Sequence, residues 1–202
     1  MGSQLRAPIP PRAIHLCVDM QNIFMPGAPW ETPWMSRVAP VVEEIAGRFA
    51  ANTIFTRFIT PAKPEDMPGM WQLYYKRWHK LTRMKIEPGL LDVIPRLKRF
   101  VPPATVVDKM HYSPFTESNL LSLLEARETD TLVITGAETD VCILATVLGA
   151  VDRGYRTIIV SDGICSSADE HHDALLQLYH QRFIDQVETT DAVTVLAQWA
   201  RS

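Results

Sequence analysis

The sequence predicts an α/β fold of three layers, with a mainly parallel, Rossmann-like sheet between two layers of helix. Two observations predict it. Short apolar runs alternate with amphipathic stretches from residue 13 to the end, and several of the runs finish on a polar or acidic residue. Strands and helices alternating at this length imply right-handed βαβ crossovers, which cover a parallel sheet on both faces.

The elements follow in order. Residues 13–19 (AIHLCVD) read as a buried strand ending on an acid. Val38, Val41, Val42, Ile45 and Phe49 recur at helical spacing, and the β-branched and aromatic run 53–59 follows them. Residues 105–108 are a third strand, 117–126 carry a helical signal, and 131–135 are a fourth strand. The next helix has Leu144, Val147, Leu148 and Val151 on one face and stops at Gly154. Residues 157–161 form the fifth strand. A helix over 168–182, a short strand near 186–188 and a helix over 192–200 close the chain.

Two stretches stand outside this rhythm. Residues 1–12 are polar and Pro-rich, and read as a loose arm rather than a secretion signal. Residues 61–89 hold several prolines together with Trp71, Tyr74, Tyr75 and Trp78. They are too long for a simple connection and too aromatic for a disordered linker. Two readings are open for that excursion, a cap over the strand ends or an oligomer interface.

The 202 residues suit one domain, 1–202. A net charge of −3 gives no basic surface for nucleic acid or an anionic membrane, and no apolar run reaches membrane-spanning length. Cys17, Cys142 and Cys165 are odd in number and widely spaced. That excludes a disulfide framework as the natural reading and predicts a reducing, cytoplasmic setting.

In a parallel sheet, ligands sit beyond the carboxyl ends of the strands. Asp19, Lys109, the stretch 136–142 and Cys165 all fall at such ends. Cys142 lies in Gly136-Ala-Glu-Thr-Asp-Val-Cys142, where a glycine allows a sharp turn and Thr139 or Asp140 can cap a helix. A thiol in the first helical turn feels the positive end of the macrodipole, which favours thiolate. Free backbone amides there suit an oxyanion. Packing as a small buried residue is the competing role. Asp19 follows an apolar strand and is costly to bury alone, although it can cap the next turn. Lys109 taken alone would be solvated. Together the three supply a nucleophile, a proton acceptor and a stabilising charge.

The stretches DMQNIF (19–24), DKMHYSPF (108–115), TGAETDVCILAT (135–146) and RGYRTIIVSDGICSS (153–167) resemble the isochorismatase-like cysteine hydrolases, a superfamily that includes nicotinamidases and N-carbamoyl amidohydrolases. The resemblance spans roughly residues 13 to 195. It implies a six-stranded parallel sheet and a catalytic triad of Asp19, Lys109 and Cys142. It also implies a cis peptide between Ala137 and Glu138, and an oxyanion hole from the amides of Glu138 and Cys142. The implied activity is hydrolysis of a small amide or carbamoyl compound by a homo-oligomer, a dimer or tetramer. The runners-up are vinyl ether hydrolysis, which needs no thiol, and a scaffold without activity.

Nicotinamidases carry an Asp-x-His metal motif after the second strand. Here that place reads Thr56-Arg57-Phe58-Ile59-Thr60-Pro61, so neither a metal nor any other cofactor is expected. The adjacent pair His171-His172 makes a poor bidentate site, because neighbours on a helix diverge. Capping or packing is the expectation for both. Arg57 either binds a substrate carboxylate or forms a surface ion pair. Phe24, Trp71, Trp78, Tyr112 and Phe115 are predicted pocket walls, with Tyr75 a further candidate.

Overall fold

In the computed structural model, which describes residues 5–200, six strands form one parallel sheet in the order β3-β2-β1-β4-β5-β6. They are β1 (Ile14–Val18), β2 (Thr53–Phe58), β3 (Thr105–Lys109), β4 (Thr131–Ala137), β5 (Arg156–Cys165) and β6 (Val187–Thr190). Side-chain alternation sorts the two faces. Cys17 and Phe55 pack with Val42 and Leu97, under α1 (Met35–Arg48) and α3 (Pro95–Lys98). Leu16 and Val18 pack the other way, with Leu124, Val147 and Tyr179. That face is covered by α4 (Leu120–Ala126), α5 (Leu144–Val151) and α6 (Asp169–Gln181). The last helix, α7 (Ala192–Gln198), joins the α1 side through Val195 and Leu196, against Val133 and Val160.

The chain departs from the sequence expectations in four places. Strand β5 runs past residue 161 to Cys165, because pairing with β4 resumes at Ile164 and Cys165 beyond an irregular Ser161-Asp162-Gly163 stretch. The register shifts between Ile134 and Gly136 to allow it. Helix α4 starts at Leu120 rather than 117, since Glu117 adopts a left-handed φ of 55° that no helix accepts. The four-residue α3 carries too little periodicity to be read from sequence. The N-terminal arm is not loose over residues 5–12. Ile9 is fully buried and exchanges backbone hydrogen bonds with Gln198 and Ala200, and Arg156 donates to the carbonyls of Ala7 and Pro8. These contacts also end α7 at Gln198. Residues 1–4 of the predicted arm lie outside the described residues.

The 61–89 segment holds α2 (Met70–Arg77) between short 3₁₀ turns. It is anchored by the buried Met67, Tyr75, Leu81 and Ile86. Among the described residues, no helix is long and apolar enough to cross a membrane.

Gly136 shows what the centre of the sheet requires. Its φ is +118°, and a Cβ there would lie 2.0 Å from the Val18 carbonyl oxygen. Only glycine lets β4 approach the end of β1 this closely.

His15 is buried inside the sheet. Its Nδ1 lies 3.1 Å from Thr53 Oγ1 and its Nε2 lies 2.8 Å from Thr135 Oγ1. Thr53 donates its own proton to the Phe49 carbonyl. Nδ1–H is therefore the donor, and the ring is neutral with both nitrogens satisfied. Burial lowers its pKa from 6.5 to about 3. Between those values the unfolded chain binds a proton that the native ring refuses, so stability falls as pH drops from 6.5 towards 3. The slope from this group is at most about 1.4 kcal/mol per pH unit. Urea unfolding of wild type and His15→Asn across pH 6.5 to 4.5 should show the steeper loss in wild type. Equal slopes would refute the neutral-ring assignment.

Candidate active site

The strand order reverses direction between β1 and β4, the place where such sheets open a crevice. Asp19 leaves the end of β1, the 137–142 turn leaves β4, and Lys109 ends β3 two strands away. Their side chains meet. Lys109 Nζ lies 2.7 Å from Asp19 Oδ2, and neither side chain has any exposure to solvent. The same ammonium donates to Cys142 Sγ at 3.5 Å and to the His111 carbonyl at 3.1 Å, and sits 4.9 Å above the Phe58 ring. The Asp19 carboxylate, the Cys142 sulfur and the His111 carbonyl thus surround it. Burial works to lower the Lys109 pKa, but Asp19 and Cys142 outweigh it and hold the group charged.

Asp19 does not cap the next turn. It sits in the left-handed region at φ 52°, and its Oδ1 accepts from the buried Thr56 hydroxyl at 2.6 Å. Thr56 in turn accepts from the Asp19 amide at 3.1 Å. Gln21 fastens the following loop by donating to the carbonyls of Phe58 and Leu91 and accepting from the Phe58 amide. Sequence reading missed Thr56 and Gln21. Thr56 carries no local signal, since it meets Asp19, 37 residues away in the chain, only through the pairing of β1 with β2.

The turn before Cys142 contains a cis peptide between Ala137 and Glu138. Residues Thr139–Ile143 then form one π-helical turn with no side-chain cap. The two proposed capping residues have other partners. Thr139 Oγ1 pairs with His172 Nδ1 at 2.9 Å, while Asp140 accepts from Ser166 and lies 3.0 Å from His171 Nδ1. Cys142 is 5% exposed. Burial pushes its thiol well above the usual range; Lys109 opposes the shift, whereas Asp19 adds to it. Burial thus acts against the resting thiolate that the helix-end position favours. Burial also pushes Cys165 up to about 12.

A cavity of about 650 Å³ opens onto Cys142. Of the predicted walls, Phe24, Trp78 and Tyr112 line it; Arg57, Trp71 and Phe115 do not. Arg57 points to the other face of β2, where it forms ion pairs with Asp108 at 2.7 Å and Asp92 at 3.1 Å beside a separate, more open depression. Of its two readings, the ion pair is the one present. Trp71 packs against Tyr112, ring centroids 4.8 Å apart, and against the buried Tyr75. Phe115 rests on Gly149, where even a Cβ would approach it within 2.7 Å. Trp30, Phe58, Tyr74 and the Glu138 side chain line the cavity and were missed as walls. Trp30 sits in a Pro- and Gly-rich loop just after a strand end, a place where a tryptophan has little other use.

The segment after β2 does not fit the metal site of a nicotinamidase. Arg57 is bound to two carboxylates, and no histidine occurs between Thr56 and Pro61. Among the described residues, no group of three or more His, Cys, Asp or Glu is placed to hold a metal ion.

Removing one member of a buried ion pair strands the other charge, typically at about 3–5 kcal/mol, whereas replacing both can be neutral. Lys109→Met should lose roughly that much in urea unfolding. The Asp19→Leu, Lys109→Met double variant should be more stable than the single one. A double variant as unstable as the sum of its singles would refute the pairing.

The Isochorismatase domain family matches residues 13–191. Maleamate amidohydrolase of Pseudomonas putida is 28% identical over 192 residues, covering 92% of this chain and 87% of that protein. N-carbamoylsarcosine amidase of an Arthrobacter species is 28% identical, covering 91% of this chain and 69% of that protein. The crystal structure of a cysteine hydrolase from Pseudomonas syringae pv. phaseolicola superposes with a TM-score of 0.82 at 26% identity, over 98% of this chain and 96% of that one. With a match over almost its whole length, the chain belongs to the isochorismatase family and is a hydrolase of that family.

Proposed function

We propose that the protein hydrolyses a C–N bond in a small amide or carbamoyl compound through a thioester on Cys142. The observation that carries this reading is the contact of Cys142 Sγ with Lys109 Nζ, itself paired with Asp19, at the wall of an aromatic cavity. Relatives named as amidohydrolase and amidase support the same chemistry.

Asp19 accepts the thiol proton as Sγ attacks the carbonyl carbon. The backbone amides of Glu138 and Cys142 hold the oxyanion. As the C–N bond breaks, Asp19 passes the proton to the departing nitrogen and ammonia or an amine leaves. Asp19 then takes a proton from water, whose oxygen attacks the thioester, and the returning proton restores the thiol. Thr56 holds the carboxylate in position throughout. Lys109 stays protonated and stabilises whichever neighbour carries the negative charge.

Cys142→Ala should abolish ammonia release from a panel of primary amides, ureas and carbamoyl acids, with a loss of several orders of magnitude. Full retention of activity on the true substrate would instead indicate acid-catalysed vinyl ether hydrolysis. Iodoacetamide supplies a second check. It should label Cys142 ahead of the fully buried Cys17 and Cys165. Because the Cys142 pKa is raised, labelling should keep climbing as pH rises above neutral. A rate already flat at pH 7 would mean a resting thiolate.

A further inference from the structure

The charge balance of the cavity narrows the substrate class. No lysine, arginine or histidine is among its lining residues, which include two carboxylates, Glu31 and Glu138. Asp19 and Lys109 cancel one another beneath the floor. The one arginine that sequence reading offered to a substrate carboxylate, Arg57, is occupied on the far face of β2. The lining itself is therefore negative, and a carboxylate entering it meets Glu31 and Glu138 with no basic lining residue to receive it. The nearby cations are committed elsewhere, Lys109 to Asp19 and Arg77 to the Trp78 ring.

The walls are suited to the opposite charge. Trp30 is ringed by Phe24, Phe58, Tyr74 and Trp78 at centroid distances of 5.9–6.3 Å. Two rings of this wall already carry cations. Lys109 Nζ lies over Phe58, and the exposed Arg77 stacks on Trp78 at 5.4 Å. Aromatic faces beside a carboxylate are the arrangement that recognises alkylated ammonium groups. Glu138 is only partly exposed and is hydrogen-bonded by the side chain and backbone of Ser167, another lining residue. Its carboxyl is raised by burial, and its charged neighbours Asp140 and Asp19 raise it further. A cation bound beside it would offset that penalty.

We propose that the substrate carries an organic cation, an alkylated ammonium or its like, held between Trp30, Tyr74, Trp78 and Tyr112 beside the Glu138 carboxylate. This rests on the amide-hydrolase reading for what is cleaved, but the binding preference can be measured without turnover. Choline and 3,3-dimethylbutan-1-ol have the same shape and differ in charge, and succinate supplies the anion. Binding of each to the intact enzyme is read by calorimetry and by quenching of tryptophan fluorescence. Choline should bind about tenfold tighter than its neutral isostere, and succinate weakest. Glu138→Gln and, independently, Trp78→Leu should each remove most of the choline advantage. Equal binding of choline and the isostere, tighter binding of succinate, or an advantage that survives both variants overturns the proposal.

Ammonia release from trimethylammonioacetamide, 3,3-dimethylbutanamide and succinamate separates the two ideas. If none of these, nor any amide of the wider panel, is cleaved while choline binds selectively, the amide-hydrolase reading fails and the cation site stands. If amides are cleaved with succinamate fastest, the cation site fails and the amide chemistry stands.

Discussion

The ion pair between Asp19 and Lys109 is the interaction on which the rest of the site depends. Two opposite charges with no solvent exposure can persist only if each has a partner and its remaining hydrogen bonds are met. Thr56 serves Asp19, while the His111 carbonyl and Cys142 Sγ serve Lys109. Those partners come from β2, from the loop after β3 and from the turn after β4. The pair can therefore form only when three strands and that turn are in register. A site assembled from segments far apart in sequence is in this way tied to completion of the sheet.

The sheet order supplies the space for it. At the reversal between β1 and β4, the chain leaves the two strands in opposite lateral directions and opens a crevice at their carboxyl ends. Gly136 lets the strands close up just below that point, with the Val18 carbonyl where a side chain would otherwise stand. The Val18–Asp19 corner and the Ala137–Glu138 turn are thereby brought side by side. Aromatic residues from the loop after β1, from β2, from α2 and from the loop after β3 then wall the crevice. Thermodynamically this is a division of labour, with the polar pair fixing the floor and apolar burial fixing the walls.

The fold is legible in the sequence because it rests on local patterns, and the three polar groups because they share strand ends and lie in motifs that resemble a known family. Apolar runs report strands, and the strand-end rule converts position in the chain into position in space without any knowledge of contacts. The walls were less legible because they depend on which way a side chain points. Arg57 shares a strand end with Thr56 and Phe58, and a period-2 strand must send it to the opposite face from both. Sequence alone does not say which of the two faces holds the site. Phe115 lies close to Lys109 in sequence, yet the bare surface at Gly149 draws it under α5. The anchoring of Ile9 by Gln198 and Ala200 joins residues about 190 apart, which no window on the sequence reveals.

Burial raises the Cys142 thiol, and at first sight that opposes its use as a nucleophile. Under the mechanism proposed above, the arrangement around it removes the conflict. When the thiol proton passes to Asp19, the site as a whole neither gains nor loses charge. A carboxylate beside an ammonium becomes a thiolate beside the same ammonium. Lys109 already contacts both groups, at 2.7 Å and 3.5 Å, so it changes partner without moving into or out of water. The desolvation that makes a lone buried thiolate expensive is present before the transfer as well as after it, and so contributes little to the step itself. What the fold has to supply is therefore a base whose own buried charge is given up as the thiolate's appears, and a fixed cation shared by the two. In the proposed mechanism Asp19 and Lys109 meet both requirements, so that their burial favours the chemistry instead of blocking it.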